Sequence, residues 1–208
     1  MNLYTKTGLL IANMAFVVFN ISGQHPEPED FNVLLTNYNV AHITWQLPVI
    51  ADETVFQVGF ELGNIPASWT LIDQDGDAEQ WEIHPSGWSA PHTGSYSIAS
   101  YSWFNGNALS PENWLISPAI TIPANAQLEY WISAISSTYS NEHYQVRVST
   151  SGTSISDFNT ILVDETLPQN NNLWQQRTRN LSQFTGQIIH LAFVHNFSTN
   201  ILDRKSDV

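Results

Sequence analysis

Apolar and polar residues alternate over short stretches of the chain, and the alternation is interrupted at regular intervals by Gly, Pro, Asn, Ser and Asp. In residues 143–150, Tyr144, Val146 and Val148 fall on one face and Gln145, Arg147 and Ser149 on the other, the period of a half-buried strand. Ala41, Ile43, Trp45 and Leu47 repeat that pattern upstream. Applied from residue 55 onward, the period predicts strands over 56–61, 80–84, 95–103, 113–122, 127–136, 143–150, 159–166, 173–181 and 187–197, with turn-forming residues between them. Outside the N-terminal apolar run, no window of eleven or more residues carries a 3.6-residue period. Nine or ten short strands spaced by turns predict an all-β chain folded as an antiparallel β-sandwich of the jelly-roll type.

The N-terminal run has a different character. Lys6 precedes the twelve apolar-rich residues 8–19, and the small residues Ser22 and Gly23 then precede Gln24. This is the layout of a secretory signal peptide over residues 1–23. A membrane anchor is the other reading, but spanning takes about 20 apolar residues and this run contains Asn13. Residues 24–54 read as a linker around a short strand pair in Phe31–Pro48 that resembles the opening of a fibronectin type III domain. The jelly roll is then expected over 55–208. An exported chain without cysteine has no disulfide framework, so its stability rests on its core or on metal.

Composition narrows the function. The formal charge is −13, and between Lys6 and Arg147 there is no Lys or Arg against fourteen carboxylates from Glu27 to Glu142. Nucleic-acid binding rests on a basic footprint, so that class is excluded. The same acidity disfavours anionic lipid and makes metal cations the natural counter-ions.

Several segments recur in an order that points to a family. They are Phe60-Glu61, residues 65–77 with Trp81 shortly after, 108–123, Leu128–Trp131, 141–152, 181–197 and Leu202-Asp203. Together they resemble the cleaved adhesin domains of bacterial gingipain and haemagglutinin proteins, and the related choice-of-anchor J modules of Bacteroidetes surface proteins. The resemblance implies a jelly roll of the galactose-binding or MAM-like kind that binds calcium and belongs to a larger multidomain secreted protein. It implies adhesion to host extracellular or matrix proteins, haem proteins or glycans at the cell surface or outside the cell, without catalysis. An accessory carbohydrate-binding module of a secreted protease or glycoside hydrolase shares the same features. The chain departs from the family after Asp203, where the closing strand looks cut short.

The sharpest chemical motif is Asp73-Gln74-Asp75-Gly76-Asp77. Carboxylates at alternate positions of a turn can converge on one hard cation, and Gly permits the tight backbone. The spacing is not that of an EF-hand, and the competing reading is an acidic surface turn that binds nothing. By the family resemblance, Glu61 and Asp203 are further calcium candidates, since the first and last strands can share an ion. Of the eight tryptophans, Trp69, Trp81, Trp114, Trp131 and Trp174 are assigned to the core. Trp88 and Trp103 lie in turn-rich surroundings and are candidate ligand platforms, against a reading in which they fold over the core. No Gly-x-Ser-x-Gly elbow, cysteine nucleophile or His-Glu-x-x-His motif occurs.

Overall fold

The computed structural model describes residues 56–85, 90–168 and 171–196, together with the backbone of three upstream strands. In chain order the strands are β1 (Leu9–Ala12), β2 (Glu29–Leu35), β3 (Ala41–Gln46), β4 (Thr70–Asp73) and β5 (Glu82–Pro85). They continue with β6 (Tyr96–Tyr101), β7 (Trp103–Phe104), β8 (Asn107–Ala108), β9 (Glu112–Ile116) and β10 (Ile120–Thr121). The last are β11 (Gln127–Ala134), β12 (His143–Ser149), β13 (Thr160–Thr166), β14 (Gln175–Asn180) and β15 (Ile188–Asn196). One sheet has the order β14-β11-β1-β6-β5; the other runs β13-β12-β15-β9-β4, with β10 also pairing β15. Every pairing is antiparallel. The fold is the antiparallel sandwich that the period-2 pattern predicts.

The core lies between the sheets. Ile98, Leu128, Tyr130 and Ile132 from the first sheet meet Tyr144, Val146, Leu191 and Phe193 from the second in one apolar cluster. The Tyr130 and Phe193 rings sit edge to face at 5.2 Å, and the Tyr130 and Tyr144 hydroxyls are hydrogen-bonded at 2.9 Å. Each sheet also has its outer face partly covered. Phe158 packs on Trp114, Ile116, Ala192 and Val194 of the second sheet, while Leu109, Ile135 and Trp174 pack on Ala99 and Tyr101 of the first. β6 and β9 are therefore buried on both faces, which explains their near-continuous burial.

Several expected elements take another form. Residues 56–60 are not a strand: Phe60 has φ +58°, and the chain turns at once, with Gly63 N–H donating to the Phe60 carbonyl at 2.9 Å. Val58 and Phe60 are buried nonetheless, so the alternation recorded core contact without ladder pairing. The expected strand 113–122 divides into β9 and β10 around Ser117-Pro118. β4, the strand leading into the aspartate motif, is an edge strand of four residues with no strongly buried position, too short to show a period. The stretch 95–103 breaks after Tyr101. A hairpin of β7 and β8 follows, closed by Asn105-Gly106 with both residues at positive φ, the geometry of a type I′ turn. Downstream of β1, β2 and β3 form a hairpin of their own within the expected linker.

Candidate functional site

The aspartate loop begins where β4 ends. Asp73 is paired with Asn113 of β9, and Gln74 N–H donates to the Glu112 carbonyl at 3.1 Å, so the loop starts from a fixed strand. Asp73 folds the turn around itself: Oδ1 accepts from Gly76 N–H at 2.7 Å and Oδ2 from Ala78 N–H at 2.9 Å. Gly76 and Ala78 both adopt positive φ, which curls the backbone inward. Asp75 Oδ1 accepts from Glu112 N–H at 3.1 Å, and Asp77 Oδ1 accepts from Glu79 N–H at 2.8 Å. Carboxylate oxygens of Asp73, Asp75 and Asp77 come within 4.8 Å of one another. Partial desolvation raises the Asp75 pKa above its ordinary value, and the charges of Asp77 and Asp73 raise it further, against the lowering hydrogen bond from Glu112. The motif thus folds into a cluster of oxygen donors whose charges oppose one another.

Glu61 is not a member of that cluster. Its Oε2 accepts from Ser95 N–H at 2.9 Å, and the carboxylate lies against Gly94. A Cβ on Gly94 would displace the exposed Glu61 carboxylate, and the residue's φ of +70° is the conformation that favours glycine. Glu61 borders an open depression of about 450 Å³, lined also by Val58, Phe60, Leu62, Asn64 and Thr93. Leu62 is 89% exposed at its rim. Asp203 and Trp88 lie outside the described residues.

Trp103 is half-buried and pairs with Ala108 beside the exposed Asn105-Gly106 turn. Trp69, Trp81 and Trp114 are core residues as expected. Trp174 is half-buried and packs on the Ala99–Tyr101 cluster of the outer face, and Trp131 departs from that assignment. Trp131 alternates with the inward Tyr130 and Ile132 and is half-buried on the outer face. The His92 ring stacks on it at 3.8 Å and meets Trp174 edge-on at 6.2 Å, while Trp174 Nε1–H donates to the Ala90 carbonyl at 3.1 Å. Desolvation lowers the His92 pKa. This aromatic group was not legible in the sequence, because His92 is 39 residues from Trp131 and its stretch reads only as a loop.

A second set missed by the sequence joins the two sheets. Ser100 Oγ lies 2.8 Å from His195 Nδ1, and His195 Nε2 lies 3.2 Å from Glu142 Oε2. Ser102 donates to Glu142 Oε1 at 2.7 Å, and Asn113 Nδ2 donates to Ser100 Oγ at 3.0 Å. With His195 neutral, Ser100 donates to Nδ1 and Nε2–H donates to the carboxylate, so the chain of donors is consistent throughout. The order serine, histidine, carboxylate resembles a nucleophile and its base. Ser100 and His195 are fully buried and Glu142 is 4% exposed, so no substrate reaches them. The set is a polar joint within the core.

Comparison with known proteins agrees with this architecture. The model of the Cleaved Adhesin Domain matches residues 53–205. The chain belongs to this family. Hemagglutinin A of Porphyromonas gingivalis is 38% identical over 180 residues, 76% of this chain and 7% of the relative. Lys-gingipain W83 of the same species is 35% identical over 131 residues, 61% of this chain and 8% of the relative. The chain therefore spans less than a tenth of the length of these curated relatives, which are larger proteins. Among solved structures, the K1 cleaved adhesin domain of the Porphyromonas gingivalis W83 Lys-gingipain superposes with a TM-score of 0.61 at 33% identity, covering 68% of this chain and 87% of that one. The K3 domain of the same protein gives 0.59 at 29%, covering 68% and 89%. The likeness places the chain as one adhesin domain.

Proposed function

We propose that the chain is a non-catalytic, calcium-stabilised adhesion module that works outside the cell as part of a larger protein. Its ligands are host extracellular or matrix proteins, haem proteins or glycans. The observation that carries this reading is the similarity, over three quarters of the chain, to a relative named as a hemagglutinin. The aspartate cluster supports the calcium part. Its donors are all oxygen, they converge, and no Lys or Arg between Lys6 and Arg147 neutralises them. Asp73, Asp75 and Asp77 would hold the ion, which would cancel their repulsion and tie the β4 end to the start of β9.

Extracellular calcium modules bind at about 10⁻⁴ to 10⁻³ M. At ten times the dissociation constant, linkage adds roughly 1.4 kcal/mol. In a domain of this size that is roughly 3–6 °C of melting temperature. Melting in millimolar calcium and in chelator checks the calcium part, and identical curves would refute it. Binding to immobilised matrix proteins, haem proteins and a glycan array, in calcium and in chelator, tests adhesion. A response confined to the glycan array would favour the carbohydrate-binding alternative, which the half-exposed Trp103 and the outer-face Trp131 also fit.

A further inference from the structure

The β7–β8 hairpin ends in a chemically reactive pair. Asn105 is the one asparagine in the chain that a glycine follows. Both residues are exposed, with φ +48° and +86°, and a Cβ on Gly106 would meet nothing within 4 Å, so water reaches the peptide bond between them. The ladder that holds them is short. It is a two-stranded sheet apart from both large ones, with Trp103 paired to Ala108 and Phe104 to Asn107. Asn107 Nδ2 donates to the Asn105 carbonyl at 3.4 Å, and Leu109 N–H donates to the Ser102 carbonyl at 2.9 Å at the base. A two-stranded hairpin is only marginally stable in water, so this one opens while the sandwich stays folded.

We propose that Asn105 is a site of spontaneous covalent modification, cyclising onto Gly106 and ending as aspartate or isoaspartate, and that the isoaspartate product undoes the turn that presents Trp103. In the closed turn both residues are left-handed, a shape that Asn and Gly tolerate. Opening frees Asn105 to take extended backbone, where its Cγ can face the Gly106 nitrogen. That nitrogen gives its proton to hydroxide and attacks Cγ. A C–N bond forms, the Cγ–Nδ2 bond breaks, and ammonia leaves with a proton from water, which restores the hydroxide. The succinimide ring then takes up one water. Opening at the side-chain carbonyl gives aspartate; opening at the main-chain carbonyl gives isoaspartate, whose backbone runs through the side-chain methylene. The balance is one water in and one ammonia out. Every other asparagine is followed by a residue whose Cβ hinders this attack. The extra methylene of isoaspartate lengthens a two-residue loop whose twist matched its strands, so the pairing of Trp103 with Ala108 is lost.

The test stores the folded full chain in mildly alkaline buffer at body temperature, beside Asn105→Gly, whose Gly-Gly tip suits the same turn and has no side-chain amide. Peptide mapping by mass spectrometry, with enzymatic methylation of isoaspartate, follows every asparagine. Position 105 of the native chain should convert first and faster as pH rises, at a rate within about tenfold of a free peptide of residues 103–108, as a marginal hairpin allows. The isoaspartate fraction, separated by ion exchange, should lose the cross-strand magnetic-resonance contact between Trp103 and Ala108 and keep the core contact of Tyr130 with Phe193. Stored Asn105→Gly should keep both. A slower rate than that, earlier conversion at another asparagine, or an isoaspartate fraction with the Trp103 contact intact overturns the proposal. Loss of that contact in stored Asn105→Gly overturns it too. If Asn105→Gly does not fold, the native-chain rate and the contact in its isoaspartate fraction decide alone. Calcium response and ligand binding are separate readouts, so failure here leaves the adhesion reading to its own test.

Discussion

Asp75 shows how one side chain can lower the stability of a fold and still serve it. A carboxyl whose pKa is higher in the folded chain than in the unfolded one favours folding below its unfolded pKa, and that contribution is lost as pH rises through the folded value. At neutral pH the charged Asp75 therefore strains the loop. Asp75→Asn keeps the acceptor for Glu112 N–H and removes the charge. In chelator this variant should melt slightly above the native chain at pH 7, with the difference vanishing in acid, and it should lose the calcium increment. Calorimetry across pH and calcium checks both signs. Trp103 is the residue-scale test of recognition. A true hot-spot aromatic costs about 2 kcal/mol or more on truncation, about thirtyfold in affinity. Trp103→Ala should weaken ligand binding by that factor with melting nearly unchanged, whereas a lowered melting temperature with intact binding would place it in the packing.

At the scale of elements, the edges of the two sheets are joined at one corner. Arg177 of β14 donates through Nε to Glu165 of β13 at 2.9 Å, and Tyr144 donates to the same Oε2 at 2.9 Å. Burial alone would raise the Glu165 pKa, but the hydrogen bonds from Arg177 and Tyr144, with the Arg177 and Arg179 charges, bring it below its ordinary value. A depressed carboxyl contributes stability above its unfolded pKa and loses it as pH falls through the folded value. Glu165→Gln should therefore cost about 1.5–3 kcal/mol near neutrality, and the native and variant curves should converge below about pH 4. The His92 loop has a comparable dependence. Desolvation depresses the His92 pKa, so its stacking on Trp131 is favoured above about pH 6.5 and lost as pH falls through the lower folded value. Tryptophan fluorescence should change over that acid range, and His92→Phe should abolish the change.

For the whole molecule, the Ser100–His195–Glu142 joint ties β6 of one sheet to β15 of the other through buried hydrogen bonds. Removing the ring leaves a buried carboxylate with fewer donors. His195→Leu should cost about 3–5 kcal/mol, roughly 6–20 °C in melting temperature, and this holds with or without calcium. The sequence by itself determined the fold class, because a period of two has no helical alternative here and the turn formers delimit each strand. It also determined much of the aspartate loop, where the N–H groups of Gly76 and Ala78 donate to Asp73 within six residues, although Glu112 of β9 anchors Gln74 and Asp75 from outside. What it left open were features made by distant segments. Alternation states which side chains share a face, but not which face meets the other sheet, and here both faces are covered. For that reason Trp131 reads like a core residue and stands outside, while Val58 and Phe60 read like a strand and pack without one. The polar joint and the stacking of His92 on Trp131 exist only once segments far apart in sequence are brought side by side, and only the tertiary structure decides that.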